Sequence, residues 1–205
     1  MKLGMSIEKV KIFIGVAVAL CLAAFAGVLA NDAIDSLAAD DLGTATQCTF
    51  IIPPFFIPGE EPGLFVNESY PMESSSIKYS FYDNGKDKVL TNREKLELQN
   101  APYRIEDMSA SITQDIYEET MSEVYNQDYG TDVGFSVSSF DKKSFDGFPG
   151  YRIISDFKVG EEPQIHQEVY IILSKYRTFT ITYQRADDDD CEALFEESAA
   201  TIHVR

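Results

Sequence analysis

The sequence contains no tryptophan, two histidines and three cysteines among 205 residues. So few histidines leave little choice of residue for general acid–base catalysis or for metal binding. Glycine and proline total only 12 and 8 residues, which excludes a fibrous or low-complexity protein. Basic residues are half as frequent as acidic ones, 17 against 34, and the net charge is −17. A protein of this charge repels phosphate backbones, which argues against a nucleic-acid binder.

The composition is nevertheless that of a folded protein. Hydrophobic residues make up 44% of the chain and aromatic residues 12%. This content and the length predict one compact domain with a core of its own, and they exclude a wholly disordered chain.

The first thirty residues predict an export signal. Lys2, Lys9 and Lys11 precede an uncharged stretch, residues 12–30. This stretch is either a signal peptide, cleaved after Val28-Leu29-Ala30 or after Ala24-Phe25-Ala26, or a retained membrane anchor, because about 20 apolar residues span a bilayer. Both alternatives place the remainder outside the cytoplasm, at the cell surface or in the medium. Residues 31–47 are predicted to be an acidic linker, and residues 48–205 a single α/β domain.

Two cysteines follow the export segment, Cys48 and Cys191. Cys48 is predicted to share a strand face with Phe50 and Ile52, and Cys191 a helix face with Phe195. In an exported chain, two such cysteines predict one disulfide bond. The alternative is a pair of buried, unbonded cysteines that pack as small hydrophobic residues.

Alternation of apolar and polar residues predicts several strands. The predicted strands cover residues 48–52, 64–66, 77–81, 133–137, 151–157, 165–173 and 179–183. The last three should form an antiparallel meander.

Three helices are also predicted. A short one covers residues 91–99. A longer one starts at the capping-box pair Ser111 and Gln114, has Ile112, Ile116, Thr120 and Val124 on one face, and ends near Gly130. A closing helix starts at the acidic run 187–190, capped through Asp189 and Glu192.

The segment from Asp146 to Ile153, DGFPGYRI, resembles the D-G-x-P-G-Y-x-I start of a strand in PsbP-like domains. Residues 167–173, 179–183 and 195–204 continue the resemblance, which is good over 133–205. The family is named after the photosystem II extrinsic protein and includes many bacterial surface proteins. The resemblance implies an α+β fold, an α/β/α sandwich with a central, mostly antiparallel sheet and a C-terminal helix packed on it. It supplies no catalytic residue, because its motifs are structural.

Few residues suggest chemistry. His166 should share a strand face with Glu168 and Tyr170, where a His-x-Glu pair could bind a metal or move protons. Without a third ligand, a polar cross-strand position is the preferred interpretation. The run Asp187 to Asp190 could hold Ca²⁺, but it lacks the EF-hand spacing, so helix capping and solvation are preferred.

Two surface features have alternative interpretations. Asn67-Glu68-Ser69 matches a glycosylation sequon, which is frequent by chance. Tyr79, Tyr82 and Tyr103 could form a contact surface for a ligand or protein, although ordinary packing is the preferred interpretation.

The sequence therefore predicts a non-enzymatic extracytoplasmic domain, secreted or tethered to a membrane. Its partner would be a protein, a component of the cell envelope or a small ligand, and no cofactor or bound metal is expected. The alternative is an extracellular domain that binds a divalent cation such as Ca²⁺ through the run Asp187 to Asp190.

Overall fold

A computed structural model describes residues 45–83, 113–174 and 177–205. The elements in chain order are β1 (Cys48–Thr49), β2 (Phe56–Pro58), β3 (Leu64–Asn67), β4 (Ser76–Asp83), α1 (Gln114–Tyr129), β5 (Ser136–Phe145), β6 (Phe148–Phe157), β7 (Ile165–Leu173), β8 (Arg177–Ala186), α2 (Glu192–Ala199) and β9 (His203–Val204). The predicted segments 1–30 and 91–99 lie outside the described residues.

Seven of these strands form one sheet in the order β2-β3-β4-β8-β7-β6-β5, and every neighbouring pair is antiparallel. The predicted meander is confirmed as β6-β7-β8, in which Val169 pairs with Ile153 and with Thr182. Strand β4 adds to β8 and brings the first part of the chain into the same sheet. The fold class is α+β, as predicted.

The two helices cover opposite faces of this sheet, because strand side chains alternate between the faces. On one face Tyr117 and Tyr125 of α1 belong to a buried cluster with Ile153 and other residues of β5–β7. On the other face Phe195 of α2 belongs to a second cluster with Tyr183 and residues of β4 and β8. The predicted packing of the C-terminal helix on the sheet is thus confirmed.

Helix α1 begins and ends close to the predicted positions. Thr113 is the N-cap, and its side chain accepts a hydrogen bond from the Ile116 amide at 3.4 Å. Gly130, with φ +67°, ends the helix in the left-handed conformation that glycine adopts readily. The predicted cap at Ser111 lies outside the described residues.

The buried face of α1 is shifted by one position along the chain from the predicted face. Ile116 is 41% exposed, whereas Tyr117, Met121 and Tyr125 are fully buried. The ring of Tyr125 stacks on Phe157 with a centroid distance of 4.7 Å. Large aromatic side chains bury more apolar surface than isoleucine or valine, so the tyrosines determine which face packs on the sheet.

Strand β5 is longer than the predicted strand 133–137 and starts later, at Ser136. The register with β6 shifts between Val137 and Ser139, and pairing then continues to Phe145. β5 lies at an edge of the sheet, where Lys142 and Lys143 are exposed and disfavour pairing with another strand.

The predicted strand 48–52 is reduced to β1, which pairs with β9 and not with the main sheet. The amides of Thr46 and Gln47 both donate to the Arg205 carbonyl at 2.9 Å. Residues 45–47, which the sequence assigned to a linker, therefore belong to the fold. The closing helix is likewise followed by a strand, β9, so the folded part does not end in a helix.

Asp146, from the turn that resembles PsbP-like domains, holds β9 in place. Its carboxylate accepts from the Val204 amide at 2.8 Å and lies 3.2 Å from Nδ1 of His203. These hydrogen bonds lower the pKa of Asp146, and the bond from the Val204 amide has the largest effect.

Within the described ranges, no helix is long and apolar enough to cross a membrane.

Candidate functional site

His166 on β7 lies between two carboxylates. Its Nδ1 is 2.5 Å from Oδ1 of Asp156 on β6, and its Nε2 is 3.1 Å from Oδ1 of Asp187, just after β8. A carboxylate accepts hydrogen bonds, so both contacts are satisfied together only when both ring nitrogens carry protons. His166 therefore connects two neighbouring strands to the segment that leads into α2.

Glu168, two residues along β7, has different partners. It accepts hydrogen bonds from Nε of Arg152 and from the hydroxyl of Tyr170, the latter at 2.6 Å. Burial raises the pKa of Tyr170, and the neighbouring Glu168 carboxylate raises it further. The three residues satisfy one another as a cross-strand group of the sheet surface.

The predicted pair of His166 and Glu168 is therefore on one strand face but does not form a joint site. Each side chain is engaged with residues of β6, and neither shares a ligand position with the other. Among residues 45–83, 113–174 and 177–205, no group of three or more His, Cys, Asp or Glu side chains could hold a metal ion.

The four aspartates of the run 187–190 also diverge. Asp187 contacts His166, and Asp188 and Asp190 are exposed. Asp189 is only 6% exposed, and its carboxylate accepts from the amides of Ser74 at 3.1 Å and Ala186 at 3.4 Å. The carboxylates thus do not converge on a common point.

The predicted cap of α2 through Asp189 is wrong. The N-cap is Cys191, which makes no side-chain capping bond. Asp189 instead joins the segment before α2 to the segment before β4, and burial raises its pKa. A long-range partner, Ser74, has replaced the local partner that the sequence pattern indicated.

A turn at residues 67–73 lies directly beside this contact and is organised by Asn67. The Asn67 side chain, 6% exposed, donates to Oε2 of Glu73 at 2.5 Å and to Oγ of Ser75 at 3.2 Å. Its carbonyl oxygen accepts from the Ser69 amide at 2.9 Å. Asn67 is thus buried and fully engaged, so the sequon places its asparagine inside the fold and not on the surface.

Two large apolar side chains are exposed at this turn. Met72 lies within the turn and is 84% exposed, and Phe55 lies beside it and is 57% exposed. Phe55 has φ +70°, a left-handed conformation that costs a bulky residue roughly 1–2 kcal/mol. Its carbonyl accepts from the Glu68 amide at 2.8 Å, which attaches Phe55 to the turn, while the next residue, Phe56, is buried against Phe195.

We call Phe55, the turn 67–73 and residues 187–190 the acidic tip. Residues 45–77 contain no Lys, Arg or His, and neither do residues 186–202. The acids of these two stretches are Glu60, Glu61, Glu68, Glu73, Asp187, Asp188, Asp189, Asp190, Glu192, Glu196 and Glu197. This surface is not among the features predicted from the sequence, although the absence of bases from both stretches is a signal for it.

The acidic tip and the β1–β9 pair lie at opposite ends of the main sheet. At the tip, β4 begins where β8 ends, because Ser76 pairs with Gln184. At the other end Asp83 pairs with Arg177, whose Nη1 donates to the Thr46 carbonyl at 2.9 Å. Residues 1–44 thus join the described fold at the end farther from the acidic tip.

The predicted disulfide is not formed. Cys48 and Cys191 are both buried, free cysteines. Cys48 lies in β1, where burial and the nearby Asp146 raise its pKa to about 12. Cys191 lies beside Ser75 at the acidic tip, and burial raises its pKa to about 11. The two residues belong to one core cluster but to its opposite ends, which the apolar face of each could not indicate.

In the described residues the tyrosines do not form a contact surface, in line with the preferred interpretation of ordinary packing. Tyr79 and Tyr82 are three residues apart on β4, so they lie on opposite faces of the sheet. Tyr79 packs on Phe50, with ring centroids 5.9 Å apart, as in ordinary core packing. Tyr103 lies outside the described residues.

No family model matches the chain, and no curated protein matches it. Solved structures similar to it include the following three. A solution structure of cyanobacterial PsbP from Synechocystis sp. PCC 6803 has 18% identity and a TM-score of 0.49, covering 80% of this chain and 95% of that one. A Pseudomonas aeruginosa protein of unknown function has 11% identity and a TM-score of 0.39, covering 79% and 85%. A Bacteroides thetaiotaomicron protein has 12% identity and a TM-score of 0.39, covering 77% and 45%. The α+β class stated above follows from the strands and helices of this chain itself.

Proposed function

We propose that this chain is a non-enzymatic, extracytoplasmic binding domain, secreted or tethered through its N-terminal segment. The observation that carries the proposal is the position of the chain ends. The uncharged stretch 12–30 precedes a fold whose first described residue, Ala45, accepts a hydrogen bond from Ser174, just after β7, at one end of the sheet. The other end is then free to meet a partner. The strong negative charge keeps such a domain soluble outside the cell.

Export of the full chain in a bacterial host tests the first part of this proposal. The full chain should be recovered in the periplasm, the medium or the membrane fraction. Protease added outside the cytoplasm should digest it. A matched chain without residues 2–30 should stay in the cytoplasm. The intact mass distinguishes a cleaved signal from a retained anchor. Recovery of the full chain in the cytoplasm would refute export.

A divalent-cation-binding domain is the second candidate from the sequence. It has less support, because the carboxylates of Asp187 to Asp190 diverge and Asp189 is engaged with backbone amides. Calorimetric titration with Ca²⁺ decides between the two. Heat of binding that disappears in an Asp187→Asn and Asp188→Asn double variant would favour the cation site.

A further inference from the structure

We propose that the acidic tip binds a basic, amphipathic segment of a partner protein, with Phe55 and Met72 as its apolar anchors. The proposal rests on the proposed function and adds to it the surface and the chemistry of the partner. The tip combines exposed apolar side chains with uncompensated negative charge, and a partner that fits it carries apolar residues together with Lys or Arg.

The apolar side chains are held on a fixed support. Met72 donates its amide to the Ser69 carbonyl at 2.9 Å, within the turn that Asn67 organises from inside. Ser74, which follows the turn, donates its amide to Asp189 at 3.1 Å. Phe55 is joined to the same turn through the Glu68 amide. Because the support is hydrogen-bonded on both sides, both anchors are presented without the cost of ordering a loose loop on binding.

Three bases of β4, β7 and β8 are already paired with acids. Arg185 lies 3.2 Å from a carboxylate oxygen of Glu192, Lys78 lies 2.8 Å from Glu61, and His166 lies between its two aspartates. The acids that stay exposed around the anchors include Glu68, Asp188 and Asp190. Their charge attracts a cationic segment and disfavours a second copy of this chain or an anionic membrane.

Pairing of a partner strand with the nearby edge of the sheet does not compete with this mode of binding. The edge strand β2 ends in Pro58, which has no amide hydrogen. The amide of Phe56 is used by the Pro54 carbonyl at 2.8 Å. The partner must therefore be recognised through side chains, which favours an amphipathic segment over an added strand.

The test uses the full exported chain and a synthetic helical peptide with one leucine face and one lysine face. Calorimetry should detect binding that weakens as NaCl rises from about 50 to 300 mM. Met72→Ser and Phe55→Asn should each weaken it about tenfold, as expected for an apolar anchor. Asparagine tolerates a positive φ, so Phe55→Asn removes the ring without destabilising the backbone. Ile116→Ser is the control, since it removes an exposed apolar side chain on the opposite face of the sheet.

The outcomes separate this proposal from the proposed function. Selective weakening by the two tip variants, with Ile116→Ser unchanged, supports the proposal. It is overturned if the wild-type chain does not bind the peptide, or if a leucine–glutamate peptide binds equally well. Association with phosphatidylcholine vesicles that Met72→Ser abolishes would assign the tip to a membrane and also overturn it. Each of these negative results leaves the export experiment, and with it the proposed function, unaffected.

Discussion

Replacing Asn67 by alanine should remove the centre of the turn that displays Met72. Asn67 donates to Glu73 and Ser75 and accepts from the Ser69 amide, and its side chain is almost completely buried. Alanine supplies none of these contacts. The buried Ser75 hydroxyl and the Ser69 amide then lose a partner that water cannot easily replace inside the turn.

The expected cost is about 2–3 kcal/mol of unfolding free energy. A hydrogen bond to a charged group contributes about 1.5–3 kcal/mol and a neutral one about 1 kcal/mol. Glu73 is only half-buried, so water restores part of what it loses. Asn67→Asp tests the same contacts through charge repulsion. Aspartate keeps the shape of the side chain and the oxygen that accepts from the Ser69 amide, but it places a second carboxylate next to that of Glu73. Its cost should equal or exceed that of alanine at pH 7 and decrease on acidification to about pH 4.

Urea denaturation followed by far-UV circular dichroism measures both variants. Ser69→Ala is the matched control, since it retains the amide that donates to Asn67, and it should change the stability by less than about 0.5 kcal/mol. A loss below about 1 kcal/mol for Asn67→Ala would refute the reasoning. So would an Asn67→Asp variant that is more stable than Asn67→Ala at pH 7.

Three further measurements test the core. Cys48 and Cys191 should resist alkylation in the native protein and react after unfolding, with the same intact mass before and after reduction, because both are buried free thiols of raised pKa. Asp189→Asn should gain stability relative to wild type as the pH rises from about 3 to 6. Burial raises the Asp189 pKa, so ionisation of this carboxyl destabilises the wild-type fold as the pH rises above the ordinary pKa of an aspartate. If the difference in unfolding free energy between Asp189→Asn and wild type did not change with pH in urea denaturation, this reasoning would be contradicted. Tyr125→Phe should cost about 1–2 kcal/mol in the same assay, since the buried Gln167 side chain loses the hydroxyl at 3.2 Å. An unchanged midpoint would contradict that.

The meander could be predicted from the sequence because its pattern is local. In β8, Phe179, Ile181 and Tyr183 alternate with threonines, and the structure places them in one core cluster. The end of α1 at Gly130 was equally local, since a glycine in the left-handed conformation ends a helix by itself. A strand can be predicted from an alternation with a period of two residues, and a helix end from one residue that needs a left-handed backbone. Neither prediction requires knowledge of contacts distant in the chain.

The buried face of α1 and the cysteine pair could not be predicted in the same way. Ile116 and Tyr117 are adjacent and both apolar, so the local pattern does not distinguish them, and the larger tyrosine ring is the one buried against Phe135. Cys48 and Cys191 each have an apolar environment, but an apolar environment does not fix a distance between two residues. These features depend on how elements far apart in the chain pack together.

The acidic tip combines both kinds of information. Its negative charge can be predicted from the sequence, because two long stretches lack bases. Its three-dimensional arrangement cannot. The turn is completed by the contact between Ser74 and Asp189, which are 115 residues apart. The local pattern of the acidic run 187–190 therefore predicts a helix cap or a cation site, whereas in the structure its buried aspartate, Asp189, joins two segments of the surface.

The distribution of bases supports a role for the tip beyond solubility. In the described ranges, every Lys and Arg except Lys158 and Arg205 lies on a strand of the main sheet, and several are paired with acids there. A surface that needed only solubility would be stable with both signs of charge interspersed. Here negative charge is concentrated at the end that also exposes Phe55 and Met72, and the chain enters the fold at the other end. Charge of one sign and exposed apolar side chains coincide at the end of the sheet farther from Ala45, and a cationic partner with apolar residues would complement both.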